Sequence, residues 1–176
     1  ANPSLVVTDD IYVRFAHTTA GTFNGALYVS STNFNDTVTL VGSAIDCSNN
    51  PLPYATNFDD EGHNLCWEIV DANNDGSTFH FSINDSLAYY QYNSSNIADD
   101  WLISPVLTLT GEQFCYMDYA ANSSLYAEKF QVFAIDANNN NTALTGIIET
   151  SSTDFQTLTI DLTALTGNYR IGIHCV

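Results

Sequence analysis

The sequence predicts an all-β chain, an antiparallel sandwich or jelly roll, and three observations carry that expectation. Successive stretches alternate apolar and polar residues or are rich in β-branched and aromatic ones. Asn, Asp, Gly and Ser cluster between them as turns. No segment of ten or more residues keeps a 3.6-residue apolar period, so no long helix is expected.

The strands are read in order. "IYVRFAH" (11–17), "GALYVSS" (25–31) and "TVTLVGS" (37–43) form a first group, separated by "TAGTFNG" and "NFND". In "CSNNPLPYAT" (47–56) two prolines and two asparagines interrupt the pattern, as a linker does. Beyond it come "YMDYAA" (116–121), "KFQVFAI" (129–135), "LTIDL" (158–162) and "YRIGIHC" (169–175). Their turns are "NNDGS", "NDS", "DANNNN" and "LTGN". The expected organisation is therefore a partial β segment over 1–46, a linker over 47–56 and a sandwich over 57–176. The first part offers too few strands to close a sandwich alone.

Charge narrows the function. Three basic residues (Arg14, Lys129, Arg170) stand against twenty acidic ones, a net charge of -17. Such a surface repels phosphate, so nucleic acid is excluded as a partner. An anionic membrane surface is disfavoured on the same ground, and no apolar stretch is long enough to span a bilayer. Carboxylates with few cations to pair them would accept Ca²⁺. Cys47, Cys66, Cys115 and Cys175 are too widely spaced for a CxxC zinc or redox motif. An even count in this polar chain points to two disulfides and an oxidising compartment, with three pairings open.

The stretch "YATNFDDEGHNLCWEIVDANNDGSTFHF" (54–81), with "DDWLISPVLTL" (99–109) and "FCYMDYAANSSLYAEKFQVFAI" (114–135), resembles the cleaved-adhesin or choice-of-anchor J domains. These are jelly rolls of bacterial cell-surface proteins, including the adhesin region of gingipain-type proteins. The resemblance rests on Phe58-Asp59, Trp67, Asp71–Gly76, Trp101–Pro105, Phe114–Tyr119 and Tyr169–His174. It implies a jelly roll carrying structural calcium and an adhesive role. "IYVRFAHTTAGTFNGALYVSSTNFNDTVTLVGSAI" (11–45) is similar to the closing half of an Ig-like module found in such proteins. Two departures are expected: the first module lacks its opening strands, and the second lacks a final acidic strand. Open edges of that kind are templates for strand addition, by identical subunits among other partners.

The candidate metal site is Asp71-x-Asn73-x-Asp75-Gly76, the first half of an EF-hand pattern in which alternating oxygens point inward. Ser82 stands where that pattern needs a bidentate Glu, and strands flank the loop, so it is no EF-hand. Taken alone, Asn/Asp-Gly between strands is more often a plain turn. The resemblance favours calcium, with Asp59 and Asp60 as further oxygen donors. "IDANNNNT" echoes the loop but reads as a hairpin turn.

No catalytic constellation stands out. His17, His63, His80 and His174 are scattered, without metal-ligand spacing, and there is no GxSxG elbow. The carboxylate pairs at 59–60 and 99–100 suit glycoside hydrolysis only in principle, since so acidic a chain contains such pairs by chance. Tyr90 and Tyr92 in "LAYYQYN" share a face if that stretch is a strand, and could stack on a sugar ring or a partner protein. Thr37 in "DTV" and Ser86 in "DSL" resemble bacterial O-glycosylation signals.

The function expected is a secreted or cell-surface adhesin-type module with structural calcium and no catalysis of its own. It would bind a protein or glycan on a cell or matrix surface. A filament subunit assembled by strand complementation and a carbohydrate-binding module of a larger secreted enzyme are the alternatives.

Overall fold

The alternating stretch "TGNYRIGIHC" becomes the strand around which the main sheet is laid. The structure is a computed structural model that describes residues 11–16, 19–48 and 50–176. In chain order its elements are β1 (Gly21–Ser31), β2 (Phe34–Ala44), the single-turn α1 (Glu61–Asn64), β3 (Glu68–Asp71), β4 (Phe79–Ser82) and β5 (Leu87–Tyr90). They continue with β6 (Asp100–Ile103), β7 (Leu107–Thr110), β8 (Phe114–Tyr119), β9 (Glu128–Asp136) and β10 (Asn141–Ala143). β11 (Ile148–Thr150), β12 (Gln156–Asp161) and β13 (Thr166–Cys175) complete them. Every strand pairing among the described residues is antiparallel, so the chain is all-β as expected. Two units are distinct, Ala1–Asp46 and Cys47–Val176.

In the second unit the main sheet runs β10-β9-β13-β6-β3, with β11 added to β9 and β7 to β13. Its inner face presents Phe130 and Val132 from β9, Ile171 from β13, and Leu107 and Leu109 from β7. The two-stranded sheet β8–β12 covers that face with Cys115, Met117, Tyr119, Leu158 and Ile160. The burial alternation along β8, outward at Phe114, Tyr116 and Asp118, is the period of two that a half-buried strand requires. The result is a two-layer sandwich.

One irregularity makes this possible. β13 pairs with β6 (Gly172↔Ile103) and then with β7 (Tyr169↔Leu107) along the same edge. Between those pairs Ser104, Pro105 and Val106 oppose only Arg170 and Ile171, which is a β-bulge. Without the extra residue Leu107 would point away from the face that Leu102 occupies. Pro105 has no N–H to offer the ladder, and the Ser104 side chain fills the gap. Ser104 Oγ accepts the Ile171 N–H at 2.8 Å, while Ser104 N–H donates to Ile171 O at 2.9 Å. The "SP" of "DDWLISP" is therefore a register device.

The first unit is a hairpin paired without a break from Gly21↔Ala44 to Ser31↔Phe34, around Thr32–Asn33. "TAGTFNG", expected as a turn, enters β1 from Gly21 onward, because its residues alternate in register with β2. Residues 11–16 of the expected first strand have no strand pairing. Phe15 instead lies over β2. A Cβ on Gly42 would meet its ring, which would have to shift to admit a side chain there. His17 lies outside the described residues.

Cysteine pairing departs from expectation. Cys47 is bonded to Cys66, whereas Cys115 and Cys175 are free thiols. Cys115 lies in the covering sheet and Cys175 in the main one, each packed as a small hydrophobe against the core. Burial pushes both thiols up, Cys175 to about 12 with the charges of Asp100 and Glu128 adding to the effect. Residues 47–56, expected as a linker, are fastened to the second unit. Cys47 anchors them to Cys66, and Asn50 Nδ2 donates to Val106 O at 3.1 Å.

Three outcomes follow. Ser104→Ala leaves a buried N–H without its acceptor and should cost about 1–3 kcal/mol in urea unfolding. Replacing Cys47 and Cys66 by Ser releases a 19-residue separation and should cost about 3 kcal/mol. Neither remaining thiol should react with a thiol reagent in the native protein at mildly alkaline pH, and both should react once it is unfolded.

Candidate functional site

β3 ends at Asp71, directly opposite Asp100 of β6, and the chain then turns through 72–78 into β4. The turn needs left-handed backbone at Asn74 (φ 55°) and Gly76 (φ 80°), where Asn and Gly are the tolerant residues. Side chains hold it from within. Asp71 Oδ1 accepts the Asp75 N–H at 3.1 Å and Oδ2 the Gly76 N–H at 2.9 Å. Asn73 Oδ1 also accepts from Asp75 N, at 3.2 Å. Asp75 Oδ1 accepts the Ser77 N–H at 2.7 Å.

Asparagines brace the loop from outside. Asn73 Nδ2 donates to Ile97 O at 2.7 Å, and Asn93 Nδ2 donates to Asp75 Oδ2 at 3.1 Å. The Ser77 N–H first, and then the amides of Asn96, Asn93 and Asn73, hold the Asp75 carboxyl below the usual carboxylate range. Asp71, Asn73 and Asp75 are thus gathered into one oxygen-rich loop.

Asp100 is the residue that sequence reasoning missed. It is fully buried, and its Oδ1 has no hydrogen-bond partner, while Oδ2 accepts the Asp99 N–H at 3.3 Å. Burial pushes its carboxyl up and the Asp71 charge adds to that, while the Asp99 N–H and the Thr78 and Tyr90 hydroxyls beside it act the other way. Burial likewise raises the Tyr90 hydroxyl, with Asp100 contributing next. The signal lay in "DDW": consecutive strand residues face opposite ways. Asp99 accordingly turns to the other face, where its Oδ1 meets His174 Nε2 at 2.7 Å and the His174 ring stacks on Trp101 at 4.1 Å. The 99–100 pair therefore does not converge on one point.

The other expected residues lie elsewhere. Asp60 caps α1 by accepting the His63 N–H at 3.1 Å, and Asp59 accepts from Asn57 Nδ2 at 2.9 Å. Among the described residues no three His, Cys, Asp or Glu side chains form a metal cage, so Asp59, Asp60, Asp71 and Asp75 do not close as a carboxylate set. Tyr90 packs on Phe79 at 5.7 Å, whereas Tyr92 lies past the end of β5 and is exposed; the two do not form one exposed face. Thr37 is exposed on β2, its N–H bound to Asp36 Oδ1, and Ser86 is exposed in the turn between β4 and β5.

Nearby aromatics fix the floor beneath β4. Phe58 stacks on Phe81 at 5.5 Å and meets Trp67 edge-on at 5.1 Å, while Trp67 Nε1 donates to Tyr54 Oη at 3.1 Å. The acidic turn 59–61 follows this anchored Phe58.

Gly76→Ala tests the turn. No atom lies within 4 Å of the added Cβ, so the cost is backbone strain alone, about 1–2 kcal/mol in urea unfolding.

No family model matches this sequence, and no curated protein does. Among solved structures the chain is similar to the K1 cleaved adhesin domain of Lys-gingipain from Porphyromonas gingivalis W83. The two share 22% identity over 62% of this chain and 80% of that one, with a TM-score of 0.45.

Proposed function

We propose that this chain is an extracellular, adhesin-type binding module whose 71–76 loop takes up a structural calcium ion. The observation that carries the calcium reading is the orphaned Oδ1 of buried Asp100, on the strand residue opposite Asp71. A buried carboxylate is costly even with the Thr78 and Tyr90 hydroxyls beside it, and a cation next to it offsets that cost. The donor chemistry fits a hard ion: Asp71, Asn73 and Asp75 present oxygens at alternate positions, and calcium also takes carbonyl oxygens and water. Asp71, Asn73 and Asp75 would hold the ion, with Asp100 beside them. Bound there, calcium would supply charge neutralisation and tie β3 to β4; it would drive no reaction.

The adhesive role is supported by the sequence resemblance through "CWEIVDANNDG" and "DDWLISP". A location outside the cell agrees with the Cys47–Cys66 disulfide.

Thermal unfolding with and without a chelator tests the metal. Calcium in large excess over its dissociation constant should add roughly 3 kcal/mol, which raises Tm by about 5–10 °C for a domain of this size. Asp71→Asn with Asp75→Asn should abolish that response. An unchanged Tm after EDTA leaves the loop a plain turn. Adhesion is measured separately, on immobilised glycans and matrix proteins; absence of saturable binding would remove that role.

A further inference from the structure

The geometry points to a peptide-binding notch on the free edge of β7, which takes one extended residue of a partner protein through the Thr108 backbone. The inference deepens the adhesive reading above and rests on it for its setting; calcium plays no part. β7 pairs with β13 along one edge. On β13 the odd-numbered residues direct their backbone groups to that side. Ile171 exchanges both its bonds with Ser104, whereas Val176 donates to Lys129 O of β9. Gly167 and Tyr169 therefore bond Leu109 and Leu107, and the backbone groups of Val106, Thr108 and Thr110 point to the free edge.

Two side chains close that edge on either side of Thr108. Asn50 Nδ2 donates to Val106 O at 3.1 Å, and Gln113 Oε1 accepts the Thr110 N–H at 2.8 Å. Among the described residues neither the Thr108 N–H nor its C=O has a partner. On the side where Asn50 stands, Thr108 lines a cavity of about 300 Å³ between β7 and the segment after Cys47. Pro51, Leu52 and Val106 form its apolar wall. The Cys47–Cys66 disulfide and the bond from Asn50 Nδ2 to Cys47 O at 2.9 Å hold that segment in place, so the notch is preformed.

The opening selects its occupant. The N–H and C=O of one extended residue point to the same side, and the C=O and N–H of one extended residue opposite complete them. Main-chain bonds then give affinity and a side-chain pocket gives specificity, as in strand addition. The lining has no aromatic ring for a sugar to stack on and no cation for an acidic group. Its apolar wall suits an aliphatic side chain, and the acid surplus of the chain favours Lys or Arg in the flanking positions of the peptide. Asn50 and Gln113 stop the pairing at one residue, so the contact does not grow into a continuous ladder.

Titrating the isotope-labelled chain with acetyl-Lys-Thr-Val-Thr-Lys-amide, up to about 10 mM to cover weak binding, tests this by NMR. The Thr108 amide signal should shift saturably, and the same peptide N-methylated at its Val should leave it in place. Thr108→Pro removes the donor at an edge position, where proline is tolerated, and should weaken binding at least several-fold. Gln113→Ala frees the Thr110 N–H and should tighten binding, a gain that a purely structural glutamine would not give. An unmoved Thr108 signal overturns the inference, as does an equal shift with the N-methylated peptide or no gain in Gln113→Ala. So does a saturable response to maltotetraose in place of the peptide. Binding to immobilised matrix proteins is read separately: a chain that adheres without taking the peptide loses this site and keeps the adhesive role.

Discussion

The second unit depends on one hydrogen bond, from the Ile171 N–H to the Ser104 hydroxyl. A proline follows Ser104, so backbone pairing on the β6 side of β13 cannot continue past this point. The hydroxyl substitutes for the interrupted ladder, and the extra residue resets the side-chain parity. β6 and β7 can then share one edge of β13 while Leu102 and Leu107 both reach the inner face. Since β9 occupies the other edge, β13 is paired on both sides along most of its length. The covering sheet β8–β12 has a continuous apolar floor only because of this parity change.

The same strand geometry positions the candidate site. β6 carries Asp100 inward on the register that places it opposite Asp71, and it carries Asp99 and Trp101 towards His174. The loop after β3 is thus attached to the edge of a sheet whose centre is rigid. Asn93 and the Ile97 carbonyl, which accepts from Asn73 Nδ2, brace it from the segment that precedes β6. A buried carboxylate beside an ordered acidic loop carries an electrostatic cost.

Much of this was legible in the residues. Alternation and turn chemistry identified β8, β9, β12 and β13, though not the three-residue β10 and β11, because half-buried antiparallel strands display their faces directly in sequence. "NNDGS" was legible as a turn with inward oxygens for the same local reason. What escaped was non-local. Nothing within "IYVRFAH" reveals that residues 11–16 lack a strand partner, since pairing depends on what lies alongside. Four cysteines suggested two bridges, but whether Cys115 and Cys175 meet is decided by the fold and not by their spacing in the chain. Asp100 looked like one acid among twenty; its burial follows from the register of β6 against β13 and β3. Tyr90 and Tyr92 looked like a pair only while β5 was assumed to run past Tyr90.

Both cations of the second unit are already engaged. Lys129 lies 3.4 Å from Glu149, and Arg170 bridges Glu68 and Asn139 across the main sheet. The remaining carboxylates have no positive side chain left to answer them, so the compensating charge must come from solution. Dissolved ions become in effect the missing half of the surface, shortening the reach of its self-repulsion to ~8 Å at physiological ionic strength. Fresh water and brine would therefore not be equivalent surroundings for this fold: it is built to be completed by the salt around it.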